Sequence, residues 1–269
     1  MRVAVAQLGS AKGDASRNTN AACAMIEKAA AEGCALVVLP ECCLTGYVFA
    51  DRAELEAAAL DSDGAEIARL RDACKIGAIF AVVGLFEKAA GAVYNTALLI
   101  GPDGIVGRHR KLHLPFLGGD RFVDHPAEIA PSVFATAIGV IGIAICYEIR
   151  FPEIIRTLAL SGAEIVALPT NWPDASRILA DHFTPVRAAE NFVYFLAANR
   201  NDSEEGTQFL GASQIVDPVG AVLTHGGTET GLFAAEIDLE RSRNKTIVFQ
   251  SGEFEISPFK DRKPDAYRL

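Results

Sequence analysis

Two apolar runs constrain this chain more than any other feature: ALVVLP at residues 35–40 and AEIVALP at residues 163–169. Neither alternates with polar residues, and such runs belong to strands buried on both faces, the usual state of parallel strands covered by helices. The residues upstream of each run agree. RVAVAQL at 2–8 reads as a strand and NTNAACAMIEKAAA, Asn18 to Ala31, as a helix closed by Gly33. In the second half VFATA and VIGIAIC read as strands and PEIIRTLALSG as a helix opening at Pro152. Each run therefore completes a strand–helix–strand unit. Between the units, a helix over Ala65 to Lys75 leads into IFAVVGLFE, and AVYNTALLI and IVGRHRK flank the turn Gly101-Pro102-Asp103-Gly104. After the second unit come a longer helix through about Asn191, the strand VYFLAAN, and a hairpin QIVDPVGAVL turning at Asp217-Pro218. The fold class is α/β. No Pro- or Ser-rich linker parts the halves, so one domain is expected over 1–238, followed by a polar, irregular tail over 239–269 that packs on the surface or on a partner subunit. The echo of ALVVLPE in AEIVALPTN fits a pseudo-twofold, and it fits equally the general likeness of strand–helix–strand units.

Composition removes several classes of function. With 25 Lys plus Arg against 34 Asp plus Glu, the formal charge of −9 repels nucleic acid and anionic membrane surfaces. The longest stretch free of charge, Ala130 to Tyr147, carries Pro131 and two glycines and is short for a membrane span; it reads as two buried strands. The N-terminus enters its first strand without the apolar block of a secretory signal, which points to the cytoplasm. The cysteines at 23, 34, 42, 43, 74 and 146 lack C-x-x-C spacing, so neither zinc nor a disulfide framework is expected, and most are small buried hydrophobes.

Chemistry is expected where strands end, because loops there vary while the strands hold them rigid. Cys146 stands between VIGIAIC and the helix at Pro152, the geometry of a strand-to-helix elbow. Backbone N–H groups after such an elbow, together with the helix dipole, favour a thiolate and lower the cysteine pKa; a buried structural cysteine is the competing reading. Glu41 follows ALVVLP against an apolar wall, where burial raises a carboxyl pKa toward that of a general base; a solvated loop residue or helix cap is its alternative. Lys111 closes IVGRHRK. It belongs either to an exposed strip with Arg108 and Arg110 or to a site, where beside a carboxylate it stays protonated and stabilises an oxyanion. Glu, Lys and Cys at three separate strand ends make a complete acyl-transfer set.

With these residues in place the chain resembles the nitrilase, or carbon–nitrogen hydrolase, superfamily over about residues 1–238. Three segments carry the resemblance in the family's order: LPECCLTGY around Glu41, GRHRKLHLPF around Lys111 and ICYEIRFPE around Cys146. PTNWP at 169–173 and RAAENFVYFLAANR at 187–200 support it. The resemblance implies a four-layer αββα sandwich whose subunits pair back to back as a homodimer or higher homo-oligomer. It also implies a triad of Glu41, Lys111 and Cys146, a small-molecule amide substrate, and neither a metal nor an organic cofactor.

Many family members carry a second glutamate after the lysine that positions lysine and substrate. Here Asp120 stands nearest to that place, one methylene shorter, with Asp124 and Glu128 as alternatives. The segment CYEIRFPE looks like the amidase branches rather than the nitrile-hydrolysing or carbamoylase ones, so amide hydrolysis through a thioester is expected first and N-carbamoyl hydrolysis second. Tyr147, by its backbone N–H, and Glu148, Arg150, Asn171 and Trp172 are the expected pocket residues; for Arg150 an ion pair with Glu148 or Glu153 is the alternative. A Cys146/His113 pair is a further possibility that no family pattern supports, and a metal on His109 and His113 does not suit a strand-to-loop segment. Two readings outside amide hydrolysis stand beside these: a thiol redox sensor using Cys146 with Cys42 or Cys43, and a non-catalytic scaffold.

Overall fold

The computed structural model describes residues 1–127 and 129–267. In chain order its first half holds β1 (Arg2–Gln7), α1 (Ala15–Ala31), β2 (Cys34–Val38), α2 (Arg52–Ala58), β3 (Leu60–Asp61), α3 (Ala65–Gly77), β4 (Phe80–Ala89), β5 (Ala92–Gly101) and β6 (Gly104–Arg110). The second half holds β7 (Val133–Thr136), β8 (Gly139–Ile143), α4 (Pro152–Leu160), β9 (Ile165–Thr170), α5 (Thr184–Asn191), β10 (Tyr194–Asn199), β11 (Ser203–Glu204), β12 (Thr207–Gln208), β13 (Gln214–Val216), β14 (Val222–His225) and β15 (Gly231–Glu236). The tail adds α6 (Glu240–Arg243), β16 (Ile247–Gln250) and β17 (Phe254–Ile256).

Two sheets result, in the orders β15-β1-β2-β4-β5-β6, with β3 beside β4, and β14-β13-β10-β9-β8-β7. The two apolar runs become central parallel strands: β2 lies between β1 and β4, and β9 between β8 and β10. Strand alternation then sorts the side chains. Val3, Val5, Leu36 and Val38 face the second sheet, while Ala4, Ala6, Val37 and Leu39 pack under Ile26 of α1 and Leu70 of α3. Ile155 and Leu158 of α4 and Ala188 of α5 cover the second sheet from outside, completing the αββα sandwich as one domain.

Two local expectations need correction, and one strand was not anticipated. The run from Ala130 to Tyr147 does give two strands, but β7 sits at a sheet edge and is only half-buried, since one of its flanks has no neighbouring strand. GLFAAE, unremarked in the sequence, pairs antiparallel with β1 and closes the first sheet from the far end of the chain. The tail is not irregular: it forms a helical turn and a hairpin, anchored by Arg243 Nε to Glu164 (2.5 Å) and by Lys245 Nζ donating to the Phe192 carbonyl (2.7 Å) at the end of α5.

Candidate active site

The carboxyl ends of both sheets meet at one place. β4, β5 and β6 run antiparallel in succession, so β6 ends on the same side as β2 and β4. Beyond β2 the chain passes Leu39 and Pro40 to Glu41 and then turns at Cys42 with a left-handed φ of +48°. This turn lies directly on β4. A Cβ at Gly84 would come 2.5 Å from the Cys42 nitrogen and 2.6 Å from the Pro40 oxygen, so only glycine lets the Glu41 loop sit so deep. Lys111, the first residue after β6, keeps the ladder going by donating its N–H to the Asn95 carbonyl at 2.8 Å. Asn95 itself continues the inter-sheet face of β5 set by Ala97 and Leu99. Past β8, Cys146 adopts a φ of +47° and opens a single 3-10 turn, Cys146–Arg150, that leads into α4. A non-glycine residue in this region is strained and is held there by its surroundings.

These loops bring five polar side chains into one buried network. Lys111, 1% exposed, donates to Glu41 Oε1 at 2.7 Å and to Asp120 Oδ2 at 2.6 Å. Asn95 Nδ2 bridges the same two carboxylates, reaching Glu41 Oε1 at 2.7 Å and Asp120 Oδ1 at 2.8 Å. The Tyr47 hydroxyl donates to Asp120 Oδ2 at 2.8 Å. Glu41 Oε2 is buried and has no hydrogen-bond partner among the described residues. Asp120 thus occupies the place proposed for it beside the lysine. Asp124 does not reach the network: its Oδ2 accepts from Arg52 (2.8 Å) and the Val93 N–H (2.9 Å). Glu128 lies outside the described residues. Of the two alternatives for Lys111 the exposed strip is not the one observed: Arg108, exposed, and Arg110, half-buried, both turn to the buried Glu87 on the opposite face of β6 while Lys111 turns inward.

The electrostatics follow from burial. Desolvation raises the Glu41 pKa above the ordinary carboxyl value, with Lys111 opposing and Asp120 adding to the rise. Desolvation also works against charge on Lys111, but Asp120 and Glu41 outweigh it and hold the ammonium well above its usual pKa. For Cys146 the sequence expectation is reversed. Burial, and then the negative charge of Glu41, push its thiol up, and these exceed the lowering by Lys111, the Thr170 hydroxyl and the Asn171 N–H against which the sulfur lies. The elbow is followed by one 3-10 turn, and α4 begins only at Pro152, so the helix dipole does not offset desolvation. Burial and the charge of Glu41 thus both favour the neutral form of the Cys146 thiol.

The other anticipated pocket residues divide into two groups. Glu148 faces the protein rather than a pocket: Oε2 accepts from the Ile145 N–H (2.8 Å) and from His109 Nε2 (2.7 Å), and Oε1 from the Leu112 N–H (2.9 Å). Its burial is outweighed by His109 and these donors, which hold its pKa far below the usual range. It ties the residue before Cys146 to the residue after Lys111. Arg150 is exposed, forms no salt bridge among the described residues, and lies 5.9 Å from the Phe183 ring centroid. Its proposed pairing with Glu148 or Glu153 is therefore not observed. Asn171 and Trp172, directly after β9, are buried, with the Asn171 carboxamide and the Trp172 Nε1 left without partners among the described residues. Tyr147 packs edge-on against Phe151, and its N–H is among the first of a helical turn, which lack acceptors within the turn. His113 stacks on Phe151 at 3.9 Å between centroids and turns to Glu148, 3.5 Å away. The Cys42 thiol donates to Asn95 Oδ1 and the Cys43 thiol to the Gly84 carbonyl, each at 3.5 Å. Sequence reasoning missed Asn95 and Tyr47; the one available signal was an amide, Asn95, inside the otherwise apolar strand AVYNTALLI.

The family profile described as carbon–nitrogen hydrolase matches residues 2–245. The chain belongs to the carbon–nitrogen hydrolase family. As a member it is a hydrolase acting on C–N bonds. This hydrolase is 36% identical over 271 residues to a nitrilase of Pyrococcus abyssi, covering 99% of each chain. It is 30% identical to an omega-amidase of Mus musculus, covering 96% of each. Among solved structures, an amidase from Nesterenkonia sp. superposes with a TM-score of 0.78 at 25% identity, covering 91% of this chain and 92% of that one. No described helix of the hydrolase is long and apolar enough to cross a membrane.

Proposed function

We propose that this hydrolase cleaves small amides through a thioester on Cys146, releasing ammonia and a carboxylic acid. The observation that carries the reading is the buried Lys111, held between Glu41 and Asp120 within electrostatic reach of the Cys146 sulfur. The substrate carbonyl carbon docks at the sulfur. Glu41 takes the thiol proton as the sulfur attacks, and the tetrahedral oxyanion is stabilised by Lys111 and the Tyr147 N–H. Glu41 then returns the proton to the leaving nitrogen, ammonia departs, and water activated by Glu41 hydrolyses the thioester. A neutral thiol with an adjacent carboxylate suits this sequence, since the base and not a standing thiolate starts the reaction.

Asn171 and Trp172 support a polar substrate end. Their buried, unpartnered donors and acceptor cost about 1–3 kcal/mol each when left unsatisfied, and a bound carboxamide satisfies them. Arg150, uncommitted at the rim, is the candidate for an acidic substrate tail. Similarity to an omega-amidase of Mus musculus and to an (R)-stereoselective amidase of Pseudomonas sp. supports amides as the first class. N-carbamoyl compounds are the second, on the 31% identity to an N-carbamoylputrescine amidase of Arabidopsis thaliana. Ammonia release from short aliphatic amides, ω-amides of dicarboxylic acids, carbamoyl amino acids and nitriles tests the proposal; a nitrile turned over while every amide is left intact overturns it. We also propose a tail over 239–269 that contacts a second subunit, supported by the exposed apolar side chains Val248, Phe249 and Phe254 on its hairpin. Size-exclusion chromatography of a form truncated after residue 245 checks this, an unchanged oligomer counting against it.

A further inference from the structure

The two carboxylates of the site are not equally used. Asp120 accepts from Asn95 on Oδ1 and from Lys111 and Tyr47 on Oδ2, so both of its oxygens are engaged. Glu41 accepts from Lys111 and Asn95 on Oε1 alone, and its Oε2 stays buried and without a partner among the described residues. Asn95 cannot easily turn over. Its Oδ1 receives the Cys42 thiol at 3.5 Å, and a flipped amide would set an oxygen against two carboxylates.

We propose that Asn95 is a positioning residue: with Lys111 it fixes Glu41 by Oε1, so that Oε2 is the oxygen that accepts the Cys146 proton. The inference rests on the reading of Glu41 as the base. In the step it governs, the S–H bond of Cys146 breaks, the electron pair stays on sulfur, and an O–H bond forms at Oε2. Because Asn95 donates to the charged form of Glu41, it also keeps the base ionised in a site where burial opposes ionisation. The other groups facing Glu41 are Lys111, which supports its charge, and Asp120, Cys42, Tyr47 and Cys146, whose charged forms oppose it.

The test is the pH dependence of Cys146 alkylation by iodoacetamide, read by mass spectrometry of the Cys146 peptide, which needs no knowledge of the natural substrate. Removing a hydrogen bond to a charged group is expected to move the acid midpoint up by about one to two pH units in Asn95→Ala, slowing alkylation about ten- to a hundredfold below the wild-type midpoint. The nearly isosteric Asn95→Asp, which replaces the donor with a further acceptor, is expected to move it further and serves if Asn95→Ala does not fold. A midpoint that stays in place in a variant with wild-type circular dichroism overturns the proposal. Glu41→Gln, run alongside, separates the two levels: alkylation equal to wild type at every pH removes Glu41 as the base, whereas alkylation dependent on Glu41 with an unmoved midpoint in the Asn95 variants removes only the role of Asn95.

Discussion

The two sheets share one plan and end in opposite chemistry. Strand for strand, β15-β1-β2-β4-β5-β6 matches β7-β8-β9-β10-β13-β14, each pairing antiparallel, parallel, parallel, antiparallel and antiparallel in turn. The echo between ALVVLPE and AEIVALPTN thus marks equivalent strands, β2 and β9, and Glu41 and Asn171 stand just past them. At the first sheet's carboxyl end lies a dense ionic network in which Lys111 neutralises part of the charge on Glu41 and Asp120. At the second lie a buried thiol, a carboxamide and an indole, the last two without hydrogen-bond partners among the described residues. Charge therefore stands past one sheet and the thiol with open polar atoms past the other, so the electrostatics of Cys146 depend on Glu41 and Lys111 across the sheets as well as on its own surroundings. Glu148 and His109 then set the spacing between them.

The sharpest way to break this division is to remove the thiol proposed as the nucleophile. Cys146→Ala is expected to lower turnover at least a thousandfold, roughly the loss seen when one member of a cooperating set is deleted, with the fold unchanged by circular dichroism. Lys111→Ala tests the charged end. It leaves two buried carboxylates facing each other, so denaturant unfolding should show a loss of about 3–5 kcal/mol, and turnover should fall about a hundredfold or more; near-normal rate and stability would remove the lysine from the site. Glu148→Gln tests the join between the sheets. Its folded pKa lies below the unfolded value of about 4.3, so its contribution is present above that pH and is lost as pH falls through the folded pKa. The variant should therefore be less stable near pH 7, with the difference from wild type shrinking in thermal melts below about pH 4. Asp124→Asn, a partly exposed clamp outside the network, should change stability by less than about 1 kcal/mol and leave kcat/KM within about twofold.

Much of this was legible in the sequence because it is local. Apolar runs of strand length and helices opened by Pro152 or closed by Gly33 depend on neighbours a few residues away, and they placed Glu41, Lys111 and Cys146 at strand ends before any contact was known. Asp120 was reached only through the family pattern, and choosing it over Asp124 took the observed bonds to Lys111. Other features depended on distant partners. The thiol pKa of Cys146 could not be read from its elbow, because the deciding terms are burial and a carboxylate 105 positions earlier in the chain. Asn95 went unremarked in its strand because its partners Glu41 and Asp120 lie 54 and 25 positions away in the chain.

By itself, then, the sequence determined the central strands and the helices beside them, their buried faces and the three strand ends where chemistry collects, since periodicity and turn residues act over short stretches of chain. Only the tertiary structure decided which carboxylate keeps a free oxygen among the described residues, which arginines turn away, and that burial and Glu41 push the thiol pKa up rather than down. Those outcomes depend on desolvation and on hydrogen bonds between residues brought together by sheet packing, and neither is encoded in any one segment.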